Sequence, residues 1–190
     1  MDQTHVGFAL CGSFCTFHRV IPEMRKLKDA GYALHPNMSA MAYHTDTRFG
    51  RAEDFRQQIA DIAGREIIAD IPAAEPIGPK QLLDALIIAP CTGNTLAKLA
   101  CGIADTPVTL AAKSHLRNGR PLIIAVSTND ALSAAAKNIG ALQNYKHIYF
   151  VPYRQDAPDE KPNSVVADFT LIGKTLEAAL RNRQIQPILL

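Results

Sequence analysis

Residues 86–101 read LIIAPCTGNTLAKLAC, and the order of residue types in this stretch decides the fold class. The apolar run at 86–89 predicts a buried β-strand, which Pro90 ends. A small polar turn follows, and residues 94–101 have the pattern of a helix. A strand that is apolar at every position is typical of a parallel sheet with helices on both faces.

The same alternation of strand and helix continues along the chain. Its 190 residues, 47% of them hydrophobic, suffice for one substantial core, so we expect a single domain over residues 1–190. The alternation predicts an α/β fold with a mostly parallel sheet, in which Pro36 marks an edge or a bulge. The predicted strands cover 6–10, 33–38, 67–71, 86–89, 122–126 and 148–151; the predicted helices cover a segment ending near 30, then about 51–63, 80–83, 94–101, 106–118, 130–139 and 165–181, with loops at 72–80 and 153–163.

Composition excludes several classes of protein. The formal net charge is +2 and no basic run occurs, so we expect neither nucleic acid nor an anionic membrane as a partner. No apolar run approaches the roughly 20 residues that span a bilayer. The first apolar run, at 6–10, is broken by Gly12 and Ser13, which is typical of a strand and not of a signal peptide. The four cysteines lack the usual metal spacing, so we expect reduced thiols and no metal site.

Four turns made of small residues with hydroxyl or amide groups follow the predicted strands. Ligands of open parallel sheets bind beyond the carboxyl ends of the strands, where helix N–H groups and hydroxyls hold anions. One such turn alone is more often a helix cap. Four at one edge predict a site for a phosphate-bearing ligand, and the missing GxGxxG motif favours a mononucleotide over a dinucleotide. The turns are Gly12-Ser13, Asn37 with Ser39, residues 90–95 and residues 127–130.

The segment PCTGNTLAKLACGIAD, residues 90–105, resembles the signature of a flavoprotein family that includes flavin-dependent cysteine decarboxylases and flavin prenyltransferases. The resemblance implies a Rossmann-like three-layer α/β/α sandwich that binds FMN along this motif. The cofactor contacts that it implies are Gly12, Ser13, Phe14, Ser39, Pro90, Cys91, Thr92, Asn94, Thr95, Ser127, Thr128 and Asn129.

A closer resemblance covers nearly the whole chain. It is to the family of B subunits from the two-subunit synthases that make dipicolinate. It implies a cytoplasmic FMN subunit in the mother cell of a spore-forming bacterium. Its partner would be an A subunit that binds NAD(P), its substrate a dihydrodipicolinate-type dicarboxylate, and its assembly a homo-oligomer. The segments that carry the resemblance are TRFG (47–50), AEPIGPK (74–80), LRNGRP (116–121), AVSTNDAL (125–132) and IYFVPYRQDAPDEKPNS (148–164).

Three residues are predicted to serve catalysis. His44 lies in a polar segment after Ser39, where it would act as a general base or be an ordinary loop histidine. Arg48 would pair with a substrate carboxylate or with a surface partner. Asn129 would contact the reacting groups or cap a helix. His18 and His115 fall on predicted helices and are expected not to be catalytic.

Departures from the decarboxylases leave a second hypothesis open. The turn that resembles P-x-M-N-x-x-M-W in those enzymes is VSTNDAL here, at 126–132, and keeps the asparagine alone. Their catalytic histidine follows the third strand, and residues 71–80 contain no histidine. A stand-alone decarboxylase is therefore disfavoured. The alternative to an oxidoreductase subunit is an assembly subunit that does no chemistry and carries a vestigial flavin site.

Overall fold

The computed structural model describes residues 3–190, within which the chain forms seven strands and eight α-helices. Two of the three short 3-10 helices, Phe14–Thr16 and Phe169–Leu171, lead directly into α-helices; the third is Glu75–Ile77. The strands are β1 (His5–Leu10), β2 (Ala33–Met38), β3 (Ala85–Cys91), β4 (Leu122–Thr128), β5 (Ile148–Phe150), β6 (Tyr153–Gln155) and β7 (Val165–Ala167). The α-helices are α1 (Phe17–Asp29), α2 (Ala40–His44), α3 (Ala52–Ala63), α4 (Ile71–Ala74), α5 (Gly93–Ala100), α6 (Pro107–Arg117), α7 (Ala136–Gln143) and α8 (Ile172–Ala179).

The strands form one mixed sheet. Strands β2, β1, β3, β4 and β5 pair in parallel, in that order. The end of β4 also pairs antiparallel with β7, which pairs antiparallel with β6. This arrangement confirms the predicted α/β fold with a mostly parallel sheet. Pro36 lies in β2 at the edge of the sheet, as expected of a residue without an N–H group.

Helices cover both faces of the sheet, because its central strands are apolar on both sides. Every residue of β3 is buried, as are the first six residues of β4. Helices α1 and α8 pack together on one side, and α5, α6 and α7 pack on the other. The structure therefore has the three-layer α/β/α arrangement that the family resemblance implied.

Several predicted elements differ from the structure on the amino-terminal side of β3. The strand predicted at 67–71 is reduced to one isolated bridge, between Ile68 and Asn37. The helix predicted near 80–83 is absent from the described residues, and the loop predicted at 72–80 contains most of α4 and the 3-10 helix after it. Asp70 explains α4, since its side chain accepts a hydrogen bond from the Ala73 N–H and caps the helix.

The carboxyl-terminal third also differs. The helix predicted at 130–139 begins only at Ala136. Before it, the N–H groups of Ser133 and Ala135 both donate to the Asp130 carbonyl and form turns instead of a regular helix. The helix predicted at 165–181 is divided into β7, a 3-10 turn capped by Asp168, and α8. The loop predicted at 153–163 includes β6, so residues 153–167 form a hairpin beside the end of β4. Within residues 3–190 no helix has the length and apolar character needed to cross a membrane.

Candidate functional site

An open cleft of about 730 Å³ lies at the carboxyl ends of β1, β3 and β4, where the sequence predicted a ligand site. One wall comes from the turn after β1 and the start of α1. The other walls come from residues 47–49, the end of β4 and the β6–β7 hairpin. The lining residues are Gly12, Ser13, Phe14, Cys15, Thr16, His18, Arg19, Thr47, Arg48, Phe49, Thr92, Ser127, Thr128, Asn129, Asp156, Lys161, Ser164, Val165 and Val166.

A hydroxyl pair joins two of the strand ends. The Oγ atoms of Ser13, after β1, and Ser127, in β4, lie 2.8 Å apart, although β3 separates the two strands. The Thr16 hydroxyl donates to the Ser13 carbonyl over 2.8 Å and holds the turn in place. The first N–H groups of the helical segment that starts at Phe14 have no acceptor inside the helix and border the cleft. Hydroxyls and free N–H groups of this kind suit an anion.

The turn after β4 packs against the amino terminus of α5. The Thr128 hydroxyl donates to Asp130 Oδ1 over 2.5 Å. A Cβ atom at position 93 would lie 2.6 Å from Asp130 Oδ1 and 2.8 Å from Thr128 Oγ1, so this approach requires Gly93. The Asp130 carboxylate thus lies beside the positive end of a helix that sequence reasoning assigned to the cofactor.

Asn129 is exposed in the cleft and is held by the hairpin. The Ser164 hydroxyl donates to Asn129 Oδ1 over 3.2 Å. This bond joins the turn after β4 to the residue that precedes β7. Since the amide oxygen is the acceptor in this bond, the amide NH₂ group is left to donate elsewhere.

Positive charge predominates in the cleft. Arg48 stacks on Phe49, with its guanidinium carbon 4.8 Å from the ring centre, and Arg19 stacks on Phe169 at 5.1 Å. Lys161 pairs with Asp156, the carboxylate of the lining, over 3.2 Å. The two arginines therefore give the cleft an excess of positive charge, which suits an anionic ligand.

Eight of the residues predicted for the site line the cleft, and six do not. Ser39 caps α2 by accepting from the Ala42 N–H, and His44 is exposed on that helix with its ring against Tyr43. The structure therefore does not bring His44 to the cleft. Asn94 is exposed on α5 outside it. The lining residues are Gly12, Ser13, Phe14, Arg48, Thr92, Ser127, Thr128 and Asn129; those outside are Ser39, His44, Pro90, Cys91, Asn94 and Thr95.

Cys91 and Thr95 belong to the layer beneath the cleft. The Thr95 hydroxyl donates to the Cys11 sulfur over 3.2 Å, and all three side chains are buried. Burial raises the pKa of the Cys11 thiol to about 11, and burial with the nearby Cys11 raises the pKa of Cys91 well above its usual value. Both sulfurs are protonated at neutral pH and serve as packing groups.

Sequence reasoning missed several lining residues, of which His18 and Arg19 are the most informative. They lie in the first turn of the helix that follows the Ser13 turn, and this place is a signal that could have put them at the same edge of the sheet. Asp156, Lys161 and Ser164 had no such signal, because their position depends on a hairpin that was predicted as a loop.

The chain belongs to the flavoprotein family, whose sequence model matches residues 1–177. Among curated proteins it is similar to the B subunit of dipicolinate synthase from Bacillus subtilis (strain 168), with 44% identity over 184 residues, 97% of this chain and 92% of the relative. A crystal structure of the dipicolinate synthase B subunit from Bacillus halodurans covers 100% of this chain and 98% of its own, with 44% identity and a TM-score of 0.91. The FMN-dependent cysteine decarboxylase SpaF is 26% identical, with a TM-score of 0.65 and coverage of 93% and 97%.

Proposed function

We propose that this chain is an FMN-binding oxidoreductase subunit that oxidises a dihydrodipicolinate-type precursor to dipicolinate together with an NAD(P)-binding A subunit. The observation that carries the proposal is the convergence of the turns after β1, β3 and β4 on one cleft. Ser13 and Ser127 lie 2.8 Å apart there, and Thr92 of the turn after β3 is also in the lining. The similarity to the dipicolinate synthase B subunits supports the choice of substrate and partner.

The residues of the cleft have the chemistry that FMN binding would need. The hydroxyls of Ser13 and Ser127 and the first N–H groups of the segment at Phe14 would hold the phosphate. Phe14, Val165 and Val166 offer an apolar surface for a flat ring. When bound, the flavin supplies a two-electron acceptor. The chain's own groups bind and orient it.

The substrate would be held by positive charge and by an amide. Arg48 would pair with one carboxylate, since its planar guanidinium matches that group with two parallel hydrogen bonds. Asn129 would donate its NH₂ group to the substrate, because its oxygen already accepts from Ser164. Both residues line the cleft and are exposed.

The setting of the reaction is proposed from the relatives. We place the protein in the cytoplasm of the mother cell during spore formation, with the A subunit as its partner. Assembly into a homo-oligomer is part of the same proposal. The name of the similar Bacillus subtilis protein implies a partner and supports this assignment.

One structural feature favours the second candidate, an assembly subunit with a vestigial flavin site. Asp130 places a carboxylate at the amino terminus of α5, a position where an anionic cofactor would otherwise gain stabilisation. In that case the chain would stabilise or position the A subunit and leave the chemistry to it.

The two candidates are separated by blocking the cleft. Ser13→Trp fills it, and Ser133→Trp, at an exposed site outside it, is the matched control. The A subunit is assayed for dipicolinate formation with each variant. Stimulation that is lost with Ser13→Trp and kept with Ser133→Trp supports a catalytic flavin subunit. Equal stimulation by both variants supports the assembly role.

A further inference from the structure

His18 is the histidine that the fold brings to the cleft. Of the six histidines in the chain, it is the one among the lining residues. Its position in the first turn of α1 fixes it relative to Ser13 and Phe14, which border the proposed flavin site. The imidazole is exposed, and in the described part of the chain it makes no hydrogen bond, ion pair or ring contact.

The other histidines are engaged elsewhere. His5 Nδ1 and His35 Nε2 are hydrogen-bonded at 2.9 Å, near the amino ends of β1 and β2. His115 is buried, with its Nε2 3.0 Å from the Pro121 carbonyl. His44 packs edge-on against Tyr43. His147, just before β5, is half-buried and outside the lining of the cleft. His18 is therefore the imidazole that a ligand in the cleft can meet.

Few other side chains in the cleft could exchange a proton. The titratable and charged groups that share the lining with His18 are Cys15, Arg19, Arg48, Asp156 and Lys161. Asp156 is paired with Lys161 at 3.2 Å, and the arginines stay protonated. The Cys15 sulfur lies 4.0 Å from the Ser13 hydroxyl, next to the turn that we assign to the phosphate. A neutral imidazole is the proton acceptor best suited to neutral pH.

The sequence predicted no catalytic role for His18 because it falls on a helix, but the fold places this residue in the lining of the cleft. We infer that His18 is the general base for the oxidation, an assignment that rests on the proposed function. A dihydropyridine ring that carries both extra hydrogens on carbon becomes aromatic by breaking two C–H bonds. One hydrogen leaves as hydride, with both bonding electrons, to the flavin or nicotinamide that the proposed function requires. The other leaves as a proton to the His18 imidazole, and its bonding electrons complete the aromatic ring. His18 then returns the proton to water.

The test compares His18→Gln with His44→Gln in the FMN-loaded chain together with the A subunit. Both replacements remove an exposed imidazole, but His44 lies outside the cleft. We expect His18→Gln to lower kcat by roughly 100-fold or more with little change in KM, and to remove the acidic limb of the pH–rate profile. Added imidazole should restore part of the rate to His18→Ala. His44→Gln should match the wild type.

A second measurement does not depend on turnover. The His18 ring signal is assigned by NMR from its loss in His18→Gln, and pyridine-2,6-dicarboxylate is then added to the wild-type chain. We expect the His18 signal to move and the His44 signal to stay. An unchanged rate and pH profile in His18→Gln, with flavin bound, would overturn the assignment. A wild-type chain that binds no flavin would overturn the proposed function instead, and the NMR signal would then decide whether His18 faces the dicarboxylate.

Discussion

The hydroxyls of Ser13 and Ser127 lie 2.8 Å apart and join the ends of two strands that are separated in the sheet by β3. The two residues are 114 positions apart in sequence. Their contact shows that the turns after β1 and β4 converge, and convergence is what an anion site at this edge requires.

Replacing Ser127 with alanine should weaken FMN binding more than it weakens the fold. Removing one hydroxyl that donates to a charged phosphate costs about 1.5–3 kcal/mol, which is roughly a 10- to 100-fold rise in Kd. Flavin fluorescence titration measures this change. Ser133→Ala is the control, because Ser133 is exposed and outside the cleft. Equal Kd values for the two variants would remove Ser127 from the phosphate site.

Gly93→Ala should destabilise the chain, whereas Gly140→Ala should stabilise it. The new Cβ at 93 would lie 2.6 Å from Asp130 Oδ1, and short side chains have little room to move, so we expect a loss of about 1–3 kcal/mol. Gly140 lies inside α7 with open space around it, and alanine there should add about 0.5–1 kcal/mol. Urea unfolding measures both changes. A stable Gly93→Ala variant would show that the Thr128–Asp130 turn does not press on α5.

Arg48→Ala should reduce affinity for a pyridine dicarboxylate. Because the variant loses a bidentate, charge-assisted hydrogen bond, we expect it to bind pyridine-2,6-dicarboxylate roughly 10- to 100-fold more weakly. Isothermal titration calorimetry measures this change. Arg51→Ala is the control, since Arg51 is exposed three residues further on and does not line the cleft. An equal effect of both replacements would indicate general charge attraction and not a specific contact.

Stability should fall as the pH is lowered from 7 to 5. Burial lowers the pKa of His115 from 6.5 to about 4, so the unfolded chain binds a proton in this range while the folded chain does not. Linkage then predicts a loss of about 2 kcal/mol between pH 7 and pH 5 from this residue. Burial also lowers the pKa of His35 to about 4, but that ring is partly exposed and should contribute less.

Urea unfolding at the two pH values tests this prediction. The Pro121 carbonyl accepts from His115, so His115→Gln can keep a donor at that place while it removes the titration. We expect the variant to lose most of the pH dependence. A wild-type stability that is constant from pH 7 to pH 5 would contradict the account of His115.

Sequence patterns predicted the parallel core well, because its strands are long and apolar. The prediction for β2 matched its bounds, and the first residues of β4 and β5 were also predicted correctly. The prediction for β3 stopped at 89, but the strand continues through Pro90 to Cys91. Pro90 was taken as the end of the strand. In the structure β3 is irregular between Ile88 and Cys91 but pairs with β4 again at Cys91.

Elements that depend on distant contacts could not be predicted in this way. Residues 165–167 form a strand because they pair with β4 and β6, and local periodicity does not reveal those partners. The same hairpin brings Lys161 and Ser164 to the cleft. His44 was predicted for the site from its position after β2, but α2 leaves its side chain outside the lining.

Titration of FMN into the purified chain is the decisive experiment for the proposed cofactor site. Flavin is titrated into the wild-type chain and into Ser13→Trp, and both retained absorbance and fluorescence quenching are recorded. We predict that the wild type holds one FMN per chain and gives a yellow protein after gel filtration, whereas Ser13→Trp holds none. A wild-type chain that stays colourless after reconstitution, or two variants that bind alike, would contradict the account.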